Sequence, residues 1–518
     1  MKSFLDSKAL RYLLYCLAVL PLFLFRDFTL DNELRYLSIA DEAIRNGSFF
    51  TFTNHGIIYA DKPPLYLWIV MLGKWLLGSH SMVFLALFSF LPALVIIHTM
   101  DQWINEALSQ TERILGELLL LTSAFFIGSA IVMRMDMLMC MFIVLALYIF
   151  YRMYQGKARR WDSLLFPLLV FMALFTKGPL GLIIPLVSTL VFLFIKNEVR
   201  SIGRYWGVKT WAILLAFCAL WLLGVYSEGG DKYLQDLVYN QTVNRAVHSF
   251  HHSEPFYYYL IAIWYSLAPW SLLLVGILVM GIQQKLFYTD LELFFLVIIL
   301  STLAILSLIS SKLEIYLIPS FPFIIYLGVL WLKRLQSPRW ATLLVMIPAL
   351  LICLALPVAA IWQFYDHSFS VPFSLAALSL SLTGILTLAY LRKHALNRGI
   401  ISMGTGLLVF VFVVSLAVPQ YNSLIGMGEL CQKAQSISAA KGVKNYYFTH
   451  IPRADNLDVY LGIKPVGLSI KDLYHPGDKI KTPAILFLSE RMINHNDSIR
   501  QFIKDKKKHQ VGKYFCVE

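Results

Sequence analysis

Residues that could do chemistry are concentrated in a few short polar segments of an otherwise apolar chain. They are Asp31-Asn32-Glu33-Leu34-Arg35-Tyr36, Asp61-Lys62, Arg134-Met135-Asp136, Thr176-Lys177-Gly178, Arg245 with His248, His251 and His252, and Lys312-Leu313-Glu314-Ile315-Tyr316. Carboxylates can take a proton from an incoming nucleophile or steady positive charge developing on a sugar ring. Lysines and arginines bind a phosphate leaving group through charge-assisted hydrogen bonds. A histidine and an acid can together hold a divalent metal that neutralises phosphate charge.

Each segment taken alone has a simpler explanation. Asp31 and Glu33 could cap a surface helix, because acids are favoured in a first helical turn. Lys177 could be a turn residue before Gly178, and the three histidines could be solvated loop residues. Asp136 is the strongest single candidate, because a carboxylate between two apolar segments is costly in a membrane. Whether the segments act together depends on the elements that position them.

The composition is that of a membrane protein. Of the 518 residues, 58% are hydrophobic and 14% are charged, and the mean hydropathy is +0.66, whereas a soluble domain carries about a quarter charged residues. Apolar runs such as 164–195 and 340–361 reach the thickness of a bilayer. The net charge of +13 comes from Lys and Arg in short loops, as the positive-inside rule requires, so no nucleic-acid partner is predicted.

Apolar runs of bilayer length predict an all-α polytopic membrane protein with about thirteen transmembrane helices. The predicted spans are 12–25, 81–99, 113–131, 134–152, 162–176, 178–195, 209–226, 257–281, 291–309, 315–332, 340–361, 372–391 and 400–418. The segment 63–77 is apolar but short and contains Lys74, so we interpret it as a helix at the membrane interface. Counting it as a span would move the Lys- and Arg-rich loops that follow to the outer side.

This arrangement predicts a multi-pass protein of the cytoplasmic (inner) membrane with its N-terminus in the cytoplasm. Every candidate segment then falls on the extracytoplasmic, or periplasmic, side. That side also carries two long outer loops, 26–80 and 227–256. A transporter would instead scatter polar residues inside its spans near the midplane, and these spans are mostly free of charge.

The predicted transmembrane domain covers residues 1–419, and the tail 420–518 differs from it in composition. The tail is polar and basic, which favours a small extracytoplasmic α/β domain. Its β-like runs are 445–449, 483–488 and 510–516, and its helix-like stretches are 424–440 and 497–507.

The polar segments resemble the motifs of bacterial GT-C membrane glycosyltransferases of the lipid A aminoarabinose transferase type, which are related to the protein O-mannosyltransferases. Over about residues 12–330 the matching motifs occur in the same order. They are Asn32-Glu33-Leu34-Arg35-Tyr36, Tyr59-Ala60-Asp61-Lys62-Pro63, Asp136, Thr176-Lys177-Gly178, His252-Ser253-Glu254-Pro255 with an upstream Arg245, and Lys312-Leu313-Glu314-Ile315-Tyr316. The family has Asp where this chain has Asn32, with Asp31 one place earlier, and it has Glu in place of Asp61.

The resemblance implies a GT-C fold and a polyprenyl-phosphate sugar donor bound at these residues. The implied catalytic residues are Asp31, Glu33 and Asp136. The implied donor-phosphate ligands are Lys62, Lys177, Arg245, Lys312 and Tyr316, and the implied substrate contacts are Arg35, Tyr36 and Tyr59. Asp61 and His252 are implied ligands of a divalent metal, Zn, Mg or Mn.

The predicted function is transfer of a sugar, with inversion at the anomeric carbon, to a lipid A-like glycolipid or another acceptor at the outer face of the membrane. Besides the donor and the acceptor, membrane lipids are the predicted partners. Two alternatives remain from the residues. One is a lipid or oligosaccharide transporter, and the other is a catalytically silent scaffold, which the departure at Asn32 keeps open.

Overall fold

The computed structural model describes residues 7–238, 254–336, 339–366, 370–474 and 480–518. Its contacts divide the chain into two compact units that do not follow a single cut in the sequence. The first unit comprises Met1–Pro21, Ala60–Tyr66 and Phe84–Ser415, and the second comprises Leu22–Tyr59, Leu67–Val83 and Leu416–Glu518. The second unit therefore contains the tail together with most of the first outer loop. The predicted division at residue 420 stays a prediction.

Helices form most of the described chain up to residue 415, as predicted. They are α1 (Lys8–Phe25), α2 (Glu33–Asn46), α3 (Leu65–Leu77), α4 (Met82–Trp103), α5 (Gln110–Leu121), α6 (Ala124–Ile131), α7 (Asp136–Tyr154), α8 (Asp162–Lys177), α9 (Leu180–Ile195), α10 (Ile202–Tyr205), α11 (Val208–Gln235), α12 (Tyr258–Ser266), α13 (Ser271–Gln283), α14 (Asp290–Leu308), α15 (Phe321–Arg334), α16 (Arg339–Cys353), α17 (Ala355–Asp366), α18 (Val371–Arg392) and α19 (Leu396–Ser415). Within the described residues, nine helices are long and apolar enough to cross a membrane, or ten if α5 and α6 are one bent span. The count of thirteen stays a prediction.

Several predicted spans are not single α-helices. The span predicted at 340–361 comprises α16 and α17, with Leu354 between them. The span predicted at 113–131 bends by 68° between α5 and α6, where the Thr122 hydroxyl donates to the Leu118 carbonyl and accepts a hydrogen bond from the Trp270 indole. The span predicted at 257–281 is divided into α12 and α13, and Pro269 between them lacks the amide hydrogen that a continuous helix needs. The structure therefore places these runs in bent or divided helices, and their count as membrane spans stays a prediction.

Helix α3 has the length that its interfacial interpretation requires. It contains 13 residues, which at about 1.5 Å per residue extend roughly 20 Å, less than the bilayer core of about 30 Å. Trp75 and Leu76 on this helix are largely exposed. Its position at the interface stays a prediction.

A mixed five-stranded sheet is the centre of the tail, so the predicted small α/β region is confirmed. Its strands are β3 (Asn445–Phe448), β4 (Val466–Gly467), β5 (Ala484–Ser489), β6 (Lys508–Val511) and β7 (Tyr514–Val517), in the order β4-β3-β5-β7-β6. A separate hairpin in the first outer loop consists of β1 (Thr53–Asn54) and β2 (Ile57–Ile58). Strand β3 is parallel to β4 and β5, whereas β7 is antiparallel to β5 and β6. The run predicted as one strand at 510–516 is a hairpin, because Gly512 turns the chain with φ +57°.

Six tail helices accompany the sheet and supply part of its core. They are α20 (Val418–Ile425), α21 (Gly428–Lys441), α22 (Asp458–Leu461), α23 (Ile470–Tyr474), α24 (Glu490–His495) and α25 (Asp497–Phe502). Ile499 and Ile503 pack with Tyr447, Leu488 and Val517 of the sheet in one buried cluster. This cluster joins the sheet to the helices that pack on it.

An ion pair joins the ends of helices α7 and α8 on the side that is predicted to be cytoplasmic. Arg152, near the end of α7, donates to both carboxylate oxygens of Asp162, the first residue of α8. The Asp162 side chain is 1% exposed. The opposite ends of the same two helices carry the candidate chemistry.

Candidate active site

The buried carboxylate of Asp136 is surrounded by cations in the first unit. Its side chain is 2% exposed and accepts a hydrogen bond from the Lys177 ammonium. Arg134 Nε lies 3.1 Å from the other carboxylate oxygen. Because an unpaired buried charge is strongly unfavourable, Asp136 and Lys177 hold each other in place.

Local sequence explains why these two side chains meet. Asp136 is the first residue of α7, where the helix dipole favours a negative charge, and Lys177 is the last residue of α8, where it favours a positive one. Helix α8 stops there because Gly178 adopts φ +105°, a conformation that L side chains rarely take. The two helices are antiparallel neighbours, so the end of α8 returns to the start of α7.

Tyr316 and Lys312 approach from the segment after helix α14. The Lys177 ammonium lies 4.4 Å from the centre of the Tyr316 ring, within the range of a cation–π contact. Lys312 is buried, and its ammonium donates to the carbonyls of Glu254 and Ile309 at 3.0 and 2.7 Å. The structure thus groups Tyr316 with Lys177, while Lys312 is a tether between two backbone segments; its predicted role in phosphate binding stays a prediction.

Lys62 interacts with the charged group around Asp136. Its ammonium lies 3.6 Å from the Asp61 carboxylate, and both side chains are less than one-fifth exposed. Lys62 interacts electrostatically with both Asp136 and Lys177. With Arg134, these residues comprise three cations and two carboxylates, so the group carries a positive charge before any phosphate binds.

Glu33 in the second unit is fully buried and saturated with hydrogen bonds. Arg26 donates to both of its carboxylate oxygens at 2.7 Å, and the Thr29 amide and hydroxyl donate to one of them at 2.8 and 3.1 Å. Sequence reasoning missed Arg26, although a cation directly after the first apolar run was a visible signal. The pair fixes the start of α2 to the end of α1.

Asp31, one residue before the N-cap position Asn32, has an exposed side chain. Nearby, the Arg35 guanidinium lies over the rings of Tyr36 and Tyr59, at 5.4 and 5.5 Å from their centres. The structure therefore brings together the three predicted substrate contacts. Of the two acids in this loop that are predicted to be catalytic, Asp31 is exposed and Glu33 is buried.

A second acid of helix α2 fixes that helix to α3. The Asp41 carboxylate lies 2.6 Å from the Lys74 ammonium and 2.7 Å from the His80 ring. Burial acts to raise the pKa of Asp41, but the hydrogen bonds and charges of His80 and Lys74 outweigh it and hold this pKa below its usual value. The carboxylate therefore stays ionised and structural.

Two predicted site residues, Arg245 and His252, lie outside the described residues, as do His248 and His251. Among the residues that the structure describes, no group of three or more His, Cys, Asp or Glu side chains could hold a metal ion. Asp61, which lies beside Lys62, would supply one hard oxygen ligand. A single protein ligand suits a metal ion that is shared with a substrate phosphate better than one that is enclosed by protein ligands. The metal stays a prediction.

Part of the sequence matches a known family model, and the fold of the chain is similar to that of a solved crystal structure. Residues 61–223 match the family model for dolichyl-phosphate-mannose-protein mannosyltransferase. The crystal structure of ArnT from Cupriavidus metallidurans bound to undecaprenyl phosphate is similar, with a TM-score of 0.75 at 17% identity, covering 99% of this chain and 98% of that one. The resemblance that the motifs predicted is confirmed.

Two curated relatives match a shorter part of the chain. One is the undecaprenyl phosphate-alpha-4-amino-4-deoxy-L-arabinose arabinosyl transferase of Pectobacterium atrosepticum, 26% identical over 314 residues, 59% of this chain and 55% of the relative. The other is an uncharacterized protein of Aquifex aeolicus, 26% identical over 324 residues, 60% of this chain and 62% of the relative. The chain thus covers less than two thirds of either relative.

Proposed function

We propose that this protein transfers a sugar from a polyprenyl-phosphate donor to a lipid A-like glycolipid at the outer face of the cytoplasmic membrane. The observation that carries the proposal is the positively charged group formed by Lys62, Arg134 and Lys177 around Asp136. Similarity to the arabinosyl transferases and to ArnT supports the donor class. Another glycolipid or a protein is the alternative acceptor.

In the proposed reaction the acceptor hydroxyl oxygen attacks the anomeric carbon as the bond from that carbon to the phosphate oxygen breaks. A carboxylate takes the hydroxyl proton, and the leaving group departs as the polyprenyl phosphate. Attack opposite the phosphate inverts the anomeric centre. Lys62, with Arg245 and Tyr316, holds the leaving phosphate, where preorganised cations stabilise the charge that develops in the transition state.

The first-loop acid in this proposal is Asp31, because it is exposed while Glu33 is saturated by Arg26 and Thr29. The N-terminus lies in the cytoplasm, and the candidate loops and the tail lie outside, as the distribution of Lys and Arg requires. Arg35, Tyr36 and Tyr59 contact the substrate. Each of these assignments belongs to the proposal.

The proposal is tested by reconstituting the purified protein in liposomes with radiolabelled polyprenyl-phosphate sugars and lipid A. We expect label to reach lipid A, and we expect the Lys62→Ala variant to lower transfer by about 10²–10³-fold through loss of one electrostatic contact to the leaving group. The matched control is Lys157→Ala, because Lys157 is an exposed lysine that pairs with Glu106 at 3.1 Å.

Three results would contradict the proposal. Full transfer by Lys62→Ala would remove the phosphate-binding role of that lysine. Movement of intact donor across the membrane without covalent transfer would identify a transporter. Binding of donor with neither movement nor transfer to lipid A, another glycolipid or protein would identify a scaffold.

A divalent metal held by Asp61 and His252 is a further part of the proposal, and it would neutralise phosphate charge near Lys62. Titration with Mn²⁺ or Zn²⁺ should raise the melting temperature, because a ligand at 100 times its Kd stabilises the folded state by about 2.7 kcal/mol. Asp61→Asn should remove this shift, while Asp290→Asn, at a carboxylate paired with Lys196, should retain it. An equal shift in both variants would exclude Asp61 as a ligand.

A further inference from the structure

Residues of the tail hold the first outer loop through a series of hydrogen bonds between parts of the chain that are about 400 residues apart. All of these contacts lie inside the second unit. We call their tail members the tail clamp, defined as Asn422, Gly428, Arg453, Asp458 and Tyr460. Their partners are the backbone of Phe25, the backbone and side chain of Asp27, the Asp31 carbonyl and the Ser38 hydroxyl.

Asp27, just after helix α1, is the most heavily contacted point. One of its carboxylate oxygens accepts hydrogen bonds from the Phe28 amide and the Tyr460 hydroxyl, and the other accepts from the Gly428 amide at 2.6 Å. Gly428 begins helix α21, so the carboxylate also lies at the positive end of a helix dipole. Burial, reinforced by the charge of Asp27, raises the pKa of Tyr460, so its hydroxyl stays a hydrogen-bond donor.

The tail backbone can approach the Asp27 carboxylate closely because Gly426 and Gly428 have no side chains. A Cβ atom on Gly428 would lie 2.8 Å from an Asp27 carboxylate oxygen, and one on Gly426 would collide with the same carboxylate. Gly426 also forms a β-bridge with Thr29, whose amide and hydroxyl bind Glu33. The clamp is thereby connected to the start of α2.

Further along the loop, the tail clamp contacts Asp31 and helix α2. Arg453 donates to the Asp31 carbonyl, and the Ser38 hydroxyl donates to an Asp458 carboxylate oxygen at 3.1 Å. His55 Nε2 lies 3.5 Å from the Asp455 carboxylate and 3.4 Å from the Ser38 hydroxyl oxygen. The tail thus contacts the loop on both sides of Glu33.

We infer that the tail clamp is a positioning element of the transferase site, which sets the place of Asp31 and of the Arg35 side chain without touching substrate. This inference rests on the proposed function, because it assigns the tail a part in that reaction. A shift of about 1 Å in a reacting group can cost 10²-fold in rate. Tyr460 is the residue whose loss should loosen the loop with the least change in packing.

The first test measures the loop directly and does not depend on activity. Hydrogen–deuterium exchange of the full-length protein is compared for Tyr460→Phe and Tyr474→Phe, since the Tyr474 hydroxyl donates to the Ser498 carbonyl inside the tail. We expect faster exchange over residues 27–46 in Tyr460→Phe and unchanged exchange there in Tyr474→Phe. Equal exchange in both variants would overturn the clamp.

The second test measures turnover in the liposome assay. For Tyr460→Phe we expect kcat to fall about tenfold, less than the 10²-fold of a full 1 Å misplacement, with the KM for donor unchanged because the proposed phosphate ligands are intact. Asp458→Asn, which retains an acceptor for Ser38, should keep more activity than Asp458→Ala. Faster exchange with wild-type kcat would overturn the positioning role, whereas absent transfer in the wild-type protein would overturn the proposed function and leave the exchange result standing.

Discussion

Asp136→Asn is expected to lower the transfer rate by about 10²–10⁴-fold, the range for loss of a positioned acid–base group. Asparagine keeps the shape of the side chain but removes the charge that balances Lys177 and Arg134. These two cations would then repel each other without a carboxylate to balance them, and the site would lose both its carboxylate and its geometry. The measurement is single-turnover transfer per folded, membrane-inserted protein.

Asp162→Asn is the matched control for this experiment. Asp162 is also a buried acid in the first turn of an adjacent membrane helix, and it also pairs with an arginine, Arg152. It lies at the other end of the α7–α8 pair from Asp136. We expect Asp162→Asn to lower the melting temperature and to leave transfer per folded protein unchanged. Equal losses of transfer per folded protein in both variants would show that the effect is common to buried acids of this helix pair and would contradict a catalytic role specific to Asp136.

Asp31→Asn is expected to lower the transfer rate without lowering stability, whereas Glu33→Gln is expected to lower stability. Asp31 is exposed, so its replacement should leave the melting temperature unchanged and lower kcat by about 10²-fold or more if it takes the acceptor proton. Glu33 is buried against Arg26, so its replacement should destabilise the fold by about 3–5 kcal/mol, the cost of a buried ion pair losing one partner.

Thermal unfolding and transfer are therefore measured on the same preparations of both variants. A stable Glu33→Gln protein without transfer would reverse the assignment and make Glu33 the reacting acid. Wild-type transfer by Asp31→Asn would exclude Asp31. These two outcomes answer the question that the displaced motif acid raises in the sequence.

The sequence indicates where Asp136 and Lys177 lie because apolar runs of membrane length leave few positions for charged residues. The start of α7 at Asp136 and the end of α8 at Lys177 were both recognisable as outer turns between apolar segments. The order of motifs then pointed to the fold. Prediction succeeded where apolar length and charge alone determine the element.

Prediction was weaker where the structure depends on tertiary contacts between side chains that are distant in the sequence. At the bend after Leu121, Thr122 accepts a hydrogen bond from Trp270, and the hydropathy of the run 113–131 contains no sign of this contact. The role of Glu33 depends on Arg26, which looked like an ordinary flanking cation. The tail contacts of Asp27 join residues too far apart in the chain for any local pattern to reveal.

The large sequence separation between the tail clamp and its partners also determines when these contacts can form during biosynthesis. Gly428 follows Asp27 by 401 residues, and translation at about 5–20 residues per second separates their synthesis by roughly 20–80 s. During that interval the first outer loop is already outside the ribosome but lacks its tail partners. A newly inserted chain therefore completes the contacts of its first outer loop only after the tail is made, so a chain whose synthesis stops before residue 428 has its membrane helices but lacks the tail clamp.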